Sequence, residues 1–325
     1  MIVSRLTGGL GNQMFQYAAG LALAHQHLTV LKLDVGWFSI NSRQPGASRR
    51  QYALHCFNVQ EHIATQEEIA SLLGQSGGIC EKLAYRAAIV LGMHRLSRTL
   101  GPNAGHLHTQ QSETFYSSFF DQPDNTYLSG TFQSEKFFKP IVEQVRLQFG
   151  FRYGPSSEIV DLAQEIQETD SVSVHFRWGD YVSNVKYREH LGVLSMKYYH
   201  DAVALLRDKL GADIRLYVFS DDIGAVEREF VSNCSRVYVR GIRPEHSHDE
   251  LRLMALCKHN IIANSSFSWW AAWLNRNPSK IVIAPDPFFQ GLGPEGADIV
   301  PESWVKLPAT FPQPLKTSFG RTADT

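Results

Sequence analysis

The chain has 325 residues, 43% of them hydrophobic, which is more apolar sequence than one ordinary domain buries, so two domains are expected. Charged residues make up 19% and the formal net charge is −1, which excludes the basic excess of a nucleic-acid-binding protein but leaves room for a local phosphate pocket. The four cysteines, Cys56, Cys80, Cys234 and Cys257, form no CxxC pair, which argues against a zinc knuckle and fits a reducing, cytoplasmic compartment.

Met1–Arg5 runs straight into a strand pattern, with no basic segment leading into an apolar one, so no signal peptide is read. No apolar run reaches the roughly 18 residues of a membrane-spanning helix. Ile2–Leu6 is expected as a strand, Thr7–Gly11 as a tight turn, and Asn12–His25 as a helix with Met14, Phe15, Ala18 and Leu21 on its apolar side. Leu28–Val35 then completes a strand–turn–helix–strand unit. Ser39–Tyr52 is polar, contains Pro45-Gly46, and reads as a loop. Thr65 followed by Glu68 opens a capped helix to Leu73. A further helix is expected over Lys82–Met93, with short strands and turns over residues 101–131.

Phe149–Ser157 is the candidate linker, because the α/β alternation restarts after it. Helices are expected over Ser157–Glu168, Ser195–Leu210 with Ser195 as cap, Asp222–Phe230, His248–His259 and Ser266–Leu274. Strands are expected over Ser171–Phe176, Ile214–Ser220, Ser235–Arg240, Asn260–Asn264 and Lys280–Ala284. The fold class is therefore α/β, with two Rossmann-like, doubly wound parallel sheets in domains spanning 1–150 and 151–302. The proline-bearing tail, 303–325, is expected as a loose or wrapping arm.

Four segments carry chemistry. In Gly8-Gly9-Leu10-Gly11-Asn12-Gln13 the glycines serve either a tight turn or a backbone cradle for an anion or sugar at a helix N-terminus. Asn12 and Gln13 add amides that suit sugar hydroxyls. A rival is the dinucleotide fingerprint of an NAD(P)-dependent oxidoreductase, with Gly9, Gly11 and Asp34, although Met14 stands where its third glycine belongs.

The second segment, His175-Phe176-Arg177-Trp178-Gly179-Asp180, leaves the carboxyl end of a parallel strand, where open α/β sheets bind ligands. Arg177 can fork onto a phosphate and neutralise a diphosphate leaving group. Alternatively Arg177 and Asp180 form a structural ion pair, and His175 is a core histidine. Asp180, three residues beyond Arg177, is also a candidate general base, with Glu189 and His190 behind it.

The third segment, Ser220-Asp221-Asp222, offers paired carboxylates for magnesium, for guanine N–H groups or for ribose hydroxyls; the bland reading is that one of them caps the next helix. The fourth places Ser265, Ser266, Phe267 and Ser268 at a helix N-terminus, an anion site by geometry, with Trp269, Trp270 and Trp273 as core. His246-Ser247-His248-Asp249 matches no standard metal spacing and reads as a solvated loop.

Taken together, RLTGGLGNQMFQYAAGLALA (5–24), HFRWGDYV (175–182), HLGVLSMKYYHDAV (190–203), VFSDD (218–222) and LMALCKHNIIANSSFSWWAAWL (253–274) resemble the bacterial α-1,2-fucosyltransferases, glycosyltransferase family 11. The resemblance implies a GT-B-like enzyme with two Rossmann-like domains facing a cleft, moving fucose with inversion and without a metal or other cofactor. The donor would be GDP-fucose and the target the 2-hydroxyl of a galactose, in an oligosaccharide or lipid-linked glycan. It also implies a cytoplasmic enzyme, with peripheral association at the inner membrane face left open. Arg177 would hold the β-phosphate and Asn12 would sit near the reacting centre. Gly9, Gly11, Gln13, His175, Ser220, Asp221, Asp222 and Ser265–Ser268 would surround the nucleotide sugar. The family's second arginine is replaced here by Trp178, so a second positive charge at the diphosphate is either missing or comes from elsewhere, with Arg5, Lys186, Arg188 and Lys258 as candidates. Another nucleotide-sugar transferase, or a sugar- or nucleotide-binding protein without catalysis, is the alternative.

Overall fold

The computed structural model describes residues 1–41, 50–73, 105–110, 112, 114–179, 191–211, 213–243, 246–290 and 298–311. The expected helix at Lys82–Met93 and the candidate base Asp180, with its reserves Glu189 and His190, lie outside the described residues.

The first half begins β1 (Ile2–Arg5), α1 (Leu10–Gln26), β2 (Leu31–Asp34), α2 (Gly36–Asn41) and α3 (Gln66–Leu72). It continues with β3 (His106–Thr109), β4 (Thr126–Ser129) and α4 (Val142–Gln148). Its described strands form one parallel sheet in the order β2-β1-β4-β3. The helix at α3 forms as its sequence requires: Thr65 Oγ1 accepts from Glu68 N, and the Glu68 carboxylate accepts from Thr65 N. Two expectations shift. Leu28 turns the chain with a φ of 50°, so the strand starts at Leu31, and the expected loop from Ser39 starts as the end of α2.

The second half holds α5 (Val160–Glu168), β5 (Ser171–Phe176), α6 (Met196–Leu210), β6 (Arg215–Ser220), α7 (Ile223–Glu229) and β7 (Ser235–Tyr238). It ends with α8 (Ser247–Leu256), β8 (His259–Ile261), α9 (Ser266–Leu274), β9 (Val282–Asp286) and β10 (Val305–Pro308). These strands form a parallel sheet in the order β10-β9-β8-β5-β6-β7. The tail after Ser303 is thus no loose arm at its start: Val305–Pro308 pairs with β9, and Thr310 O accepts from Ser195 N. Ser195 precedes α6 without capping it; its hydroxyl accepts from Thr310 Oγ1 at 2.8 Å. The helix expected to reach His259 stops at Leu256, freeing His259 to begin β8.

Two parallel α/β sheets in tandem are the GT-B-like arrangement. The halves share one buried apolar cluster that includes Ile2, Phe15, Phe138, Trp269 and Trp270. Phe149, in the candidate linker, is 1% exposed and packs on Phe57 and Trp270 at ring distances of 5.3 and 5.0 Å. Phe149 thus anchors the start of that segment in the core, whereas residues 152–155 are exposed. In each sheet the strand order reverses beside a central strand, β1 in the first and β5 in the second. Ligand crevices open at such points, beyond the carboxyl ends of the strands. No helix among the described residues is long and apolar enough to cross a membrane.

Candidate active site

β1 runs into Gly8, whose φ of 75° is one that L side chains rarely adopt. Gly11 is glycine for another reason. A Cβ there would lie 2.5 Å from the Ser266 carbonyl carbon and 2.7 Å from the Phe267 nitrogen. The N-termini of α1 and α9, one from each half, meet at this point. Trp270 Nε1 donates to the Gly11 carbonyl at 3.0 Å. Ser266 Oγ and Gln133 Nε2 both donate to Asn12 Oδ1, at 2.8 and 3.0 Å. The Asn12 amide is oriented by these two donors, which leaves its Nδ2 protons for a ligand.

Gln13 does not share that freedom. It is fully buried; its Nε2 donates to Gly8 O and Gln51 O at 3.1 and 2.9 Å, and its Oε1 accepts from Ala53 N at 2.9 Å. It ties the glycine turn to the following loop. Asp34 is likewise tied, accepting from Gly36 N at 2.8 Å and Tyr127 OH at 2.6 Å. The carboxylate that a dinucleotide site would aim at ribose is therefore holding the end of its own strand.

β5 is buried along its whole length and delivers His175 and Arg177 to the crevice. His175 is 3% exposed, its ring lies 6.1 Å from that of Phe267, and its Nδ1 has no hydrogen-bond partner among the described residues. Burial, with Arg177 adding, drives its pKa down to about 3, so the imidazole is neutral. Arg177 Nη1 pairs with Asp221 Oδ2 at 3.1 Å. Asp221 Oδ1 accepts from Trp178 N and Gly179 N at 2.8 and 2.9 Å. Burial pushes the Asp221 carboxyl up, but Arg177 and the two N–H groups outweigh burial and hold it below its ordinary value.

Asp221 therefore clamps the turn that carries Arg177. Asp222 caps α7, its Oδ1 accepting from Ala225 N at 3.1 Å, and Ser220 Oγ accepts from Asp222 N at 3.0 Å. Trp178 packs edge-on against Phe176, ring centroids 5.8 Å apart, on the face of the sheet opposite His175. Position 178 thus turns away from the crevice. Lys258 pairs with Asp170 at the far end of β5 and is excluded as the second cation; Lys186 and Arg188 lie outside the described residues. Arg50 reaches the glycine turn, its Nη1 3.7 Å from where a Gly9 Cβ would stand.

The serine hydroxyls are also spent within the protein. Ser265 caps α9 by accepting from Phe267 N at 3.4 Å, and Ser268 Oγ donates to Ser265 O at 3.3 Å. Ser266 holds Asn12. Hydroxyls expected to line an anion site instead build the helix end and the junction between the halves.

A match to the family described as Glycosyl transferase family 11 spans residues 107–306. The chain belongs to glycosyl transferase family 11. The Alpha-1,2-colitosyltransferase of Escherichia coli is 30% identical over 314 residues, covering 94% of this chain and 99% of that protein. The O-antigen biosynthesis glycosyltransferase WbnK of Escherichia coli is 30% identical over 315 residues, covering 94% and 99%. The crystal structure of fucosyltransferase NodZ from Bradyrhizobium aligns with a TM-score of 0.45 at 14% identity, covering 83% of this chain and 91% of that one.

This family 11 glycosyltransferase has two site residues that sequence reasoning missed. Glu250 sits in the first turn of α8. Burial, with the Asp221 charge adding, pushes its carboxyl up to about 7 against the opposing pull of Arg177. Its carboxylate has no hydrogen bond or ion pair among the described residues. The expected solvated loop just before it is in fact the start of α8, with Asp249 buried and accepting from Ser156 N and Arg252 Nε. The second is Gln133, which reaches Asn12 across 121 residues of sequence. No three His, Cys, Asp or Glu side chains converge as a metal site among the described residues.

Proposed function

We propose that this glycosyltransferase moves fucose from GDP-fucose, with inversion, to the 2-hydroxyl of a galactose in an oligosaccharide or lipid-linked glycan, on the cytoplasmic side. One observation carries the reading: a clamped guanidinium, Arg177, stands at the strand-order reversal of the second sheet, in the half opposite the glycine turn. Breaking the anomeric C–O bond moves negative charge onto the diphosphate, and a bidentate arginine stabilises that charge more as the bond breaks. Asp221 fixes the guanidinium in place before the donor arrives, and the reading needs no metal.

Glu250 is the acid that reads guanine, because its carboxylate is unspent where those of Asp221 and Asp222 hold backbone N–H groups. A carboxylate accepts from guanine N1–H and N2–H₂ together, and adenine offers an acceptor in place of N1–H. Neutral His175, its Nδ1 buried without a partner among the described residues, is the proposed support beneath Arg177 at the nucleotide crevice. Asn12, from the other half, presents Nδ2 to the sugar oxygens at the reacting centre. Asp180 is the proposed acceptor of the attacking hydroxyl's proton.

The relative named for colitose favours a second donor. Colitose is fucose without its 3-hydroxyl, so the same diphosphate and base contacts would serve. The test is turnover in EDTA with GDP-fucose, the GDP derivative of colitose, and UDP-sugars in parallel. Transfer from a GDP-sugar in EDTA is expected; transfer from UDP-sugars alone, or activity restored by added Mn²⁺ or Mg²⁺, contradicts the reading.

A further inference from the structure

A cavity of about 740 Å³ opens at the C-terminal ends of α8 and α9. At 1.5 Å per residue, α9 separates it from the cleft by about 13 Å. Phe149, Phe151, Ala163 and Leu274 are part of its apolar lining, and its charged residues are all arginines: Arg146, Arg252 and Arg276. A second cavity of about 580 Å³ shares Arg146 and Arg276 and adds Lys280, with Glu143 as its one acid.

The three arginines are not equivalent. Arg252 is spent, donating to Asp249 at 3.0 Å and to the Tyr153 carbonyl at 2.7 Å and stacking 4.1 Å from the Phe151 ring centre. Arg146 lies over Trp273 at 4.2 Å, and neither it nor Arg276 has an ion-pair partner among the described residues. They repel each other: burial lowers the Arg146 pKa, and Arg276 adds to this against the pull of Glu143 and Glu135. Burial, with Arg146 adding, also pushes Lys280 down to about 8, although its Nζ donates to the carbonyls of Ala272 and Trp273 in α9 and of Asn275 just past its end. Neighbouring cations left unpaired, outside the catalytic cleft, are arranged for an anion.

The surroundings add an apolar component. Leu147, Tyr153 and Val160 are 71%, 67% and 46% exposed. Val160 lines the first cavity and Leu147 the second, and Tyr153 stands two residues beyond Phe151 of the lining. Exposed apolar side chains beside unpaired guanidiniums match a lipid headgroup boundary, where phosphates and acyl chains meet. A free phosphate would leave that apolar rim without a use.

We propose that this face docks on an anionic phospholipid bilayer. Arg146 and Arg276 meet the lipid phosphates, and Leu147, Tyr153 and Val160 enter the headgroup layer. Binding at the far ends of α8 and α9 leaves the cleft open to an acceptor. The proposal is independent of the donor assignment, because its readout is membrane binding.

The full-length protein is co-sedimented with vesicles of phosphatidylcholine, with and without phosphatidylglycerol. Binding is expected only with phosphatidylglycerol, and it should weaken with salt. Arg276→Glu with Leu147→Glu should lower the partition coefficient about tenfold or more, with the melting temperature and turnover on a soluble acceptor unchanged. Lys209→Glu with Val231→Glu, on the other face of the second sheet, is the control and should bind as wild type. Equal binding to both vesicles, or unchanged binding by the Arg276/Leu147 variant, overturns the proposal. So does an absence of vesicle binding combined with stabilisation by inorganic phosphate that requires Arg276, which would make this a small-anion site.

Discussion

Glu250→Gln separates a base-reading acid from a structural one. Its carboxyl is held up to about 7, by burial first and by Asp221 second. Between pH 8 and pH 6 its ionised fraction falls from about nine-tenths to about one-tenth, so wild-type GDP affinity should weaken about tenfold if only the carboxylate accepts from guanine. His175 stays neutral throughout this window and adds no slope. Glutamine offers one acceptor and turns a donor toward a donor, a loss of about 1.5–3 kcal/mol, or roughly tenfold to 150-fold in Kd at pH 8. Stability moves the other way. A carboxyl whose folded pKa is raised binds more protons folded than unfolded, so wild-type stability falls as pH rises from the ordinary carboxyl value through about 7. The uncharged glutamine removes that loss, so the ligand-free variant should melt no lower than wild type at pH 8. Titration calorimetry with GDP at both pH values, beside a melting curve, reads all three effects. GDP affinity within threefold of wild type at pH 8, or a pH slope between pH 6 and 8 as steep in the variant as in wild type, refutes Glu250 as the reader of guanine, since the terminal phosphate of GDP contributes the same slope to both.

Arg177→Ala should lower turnover by about 10²–10³-fold, the scale of a lost charge stabiliser, with Arg177→Lys recovering only part because it lacks the planar fork; steady-state rates within a few-fold of wild type would remove Arg177 from the diphosphate. Gly11→Ala places a Cβ 2.5 Å from the Ser266 backbone, so it should destabilise by about 1–3 kcal/mol through overpacking, and an unchanged melting temperature would show that the two helix ends do not meet. Gln133→Ala and Ser266→Ala should each lower kcat with little change in GDP affinity, and the double variant should lose less than the sum, because both act through Asn12 Oδ1; additive losses would break that link.

The alternation of strands and helices was legible because apolar periodicity marks each element, and β5 and α9 fall where their patterns place them. Arg177 was legible from its position at a strand end. The chemistry of its neighbours was harder to read, because the groups that suit a ligand also suit a turn. Gln13, Asp221, Ser265 and Ser268 are the right residue types, but each is consumed by nearby backbone groups. Gly11 reads as a turn glycine, and only the fold shows that Ser266 demands it. Glu250 hides in a polar run whose meaning depends on where α8 points, and Gln133 depends on a contact distant in sequence. β10 was missed because VKLP is short and ends in proline, a pattern shared by loops and edge strands.

Product linkage tests the central claim most directly. The purified protein is incubated in EDTA with GDP-fucose and a panel of galactosides, and the product is analysed by NMR. The account predicts release of GDP and a fucose joined through an inverted anomeric centre to the galactose 2-hydroxyl, formed about 10²–10³-fold more slowly by Arg177→Ala. Retention at the anomeric carbon, attachment at another hydroxyl, or equal product from the Arg177 variant would contradict it.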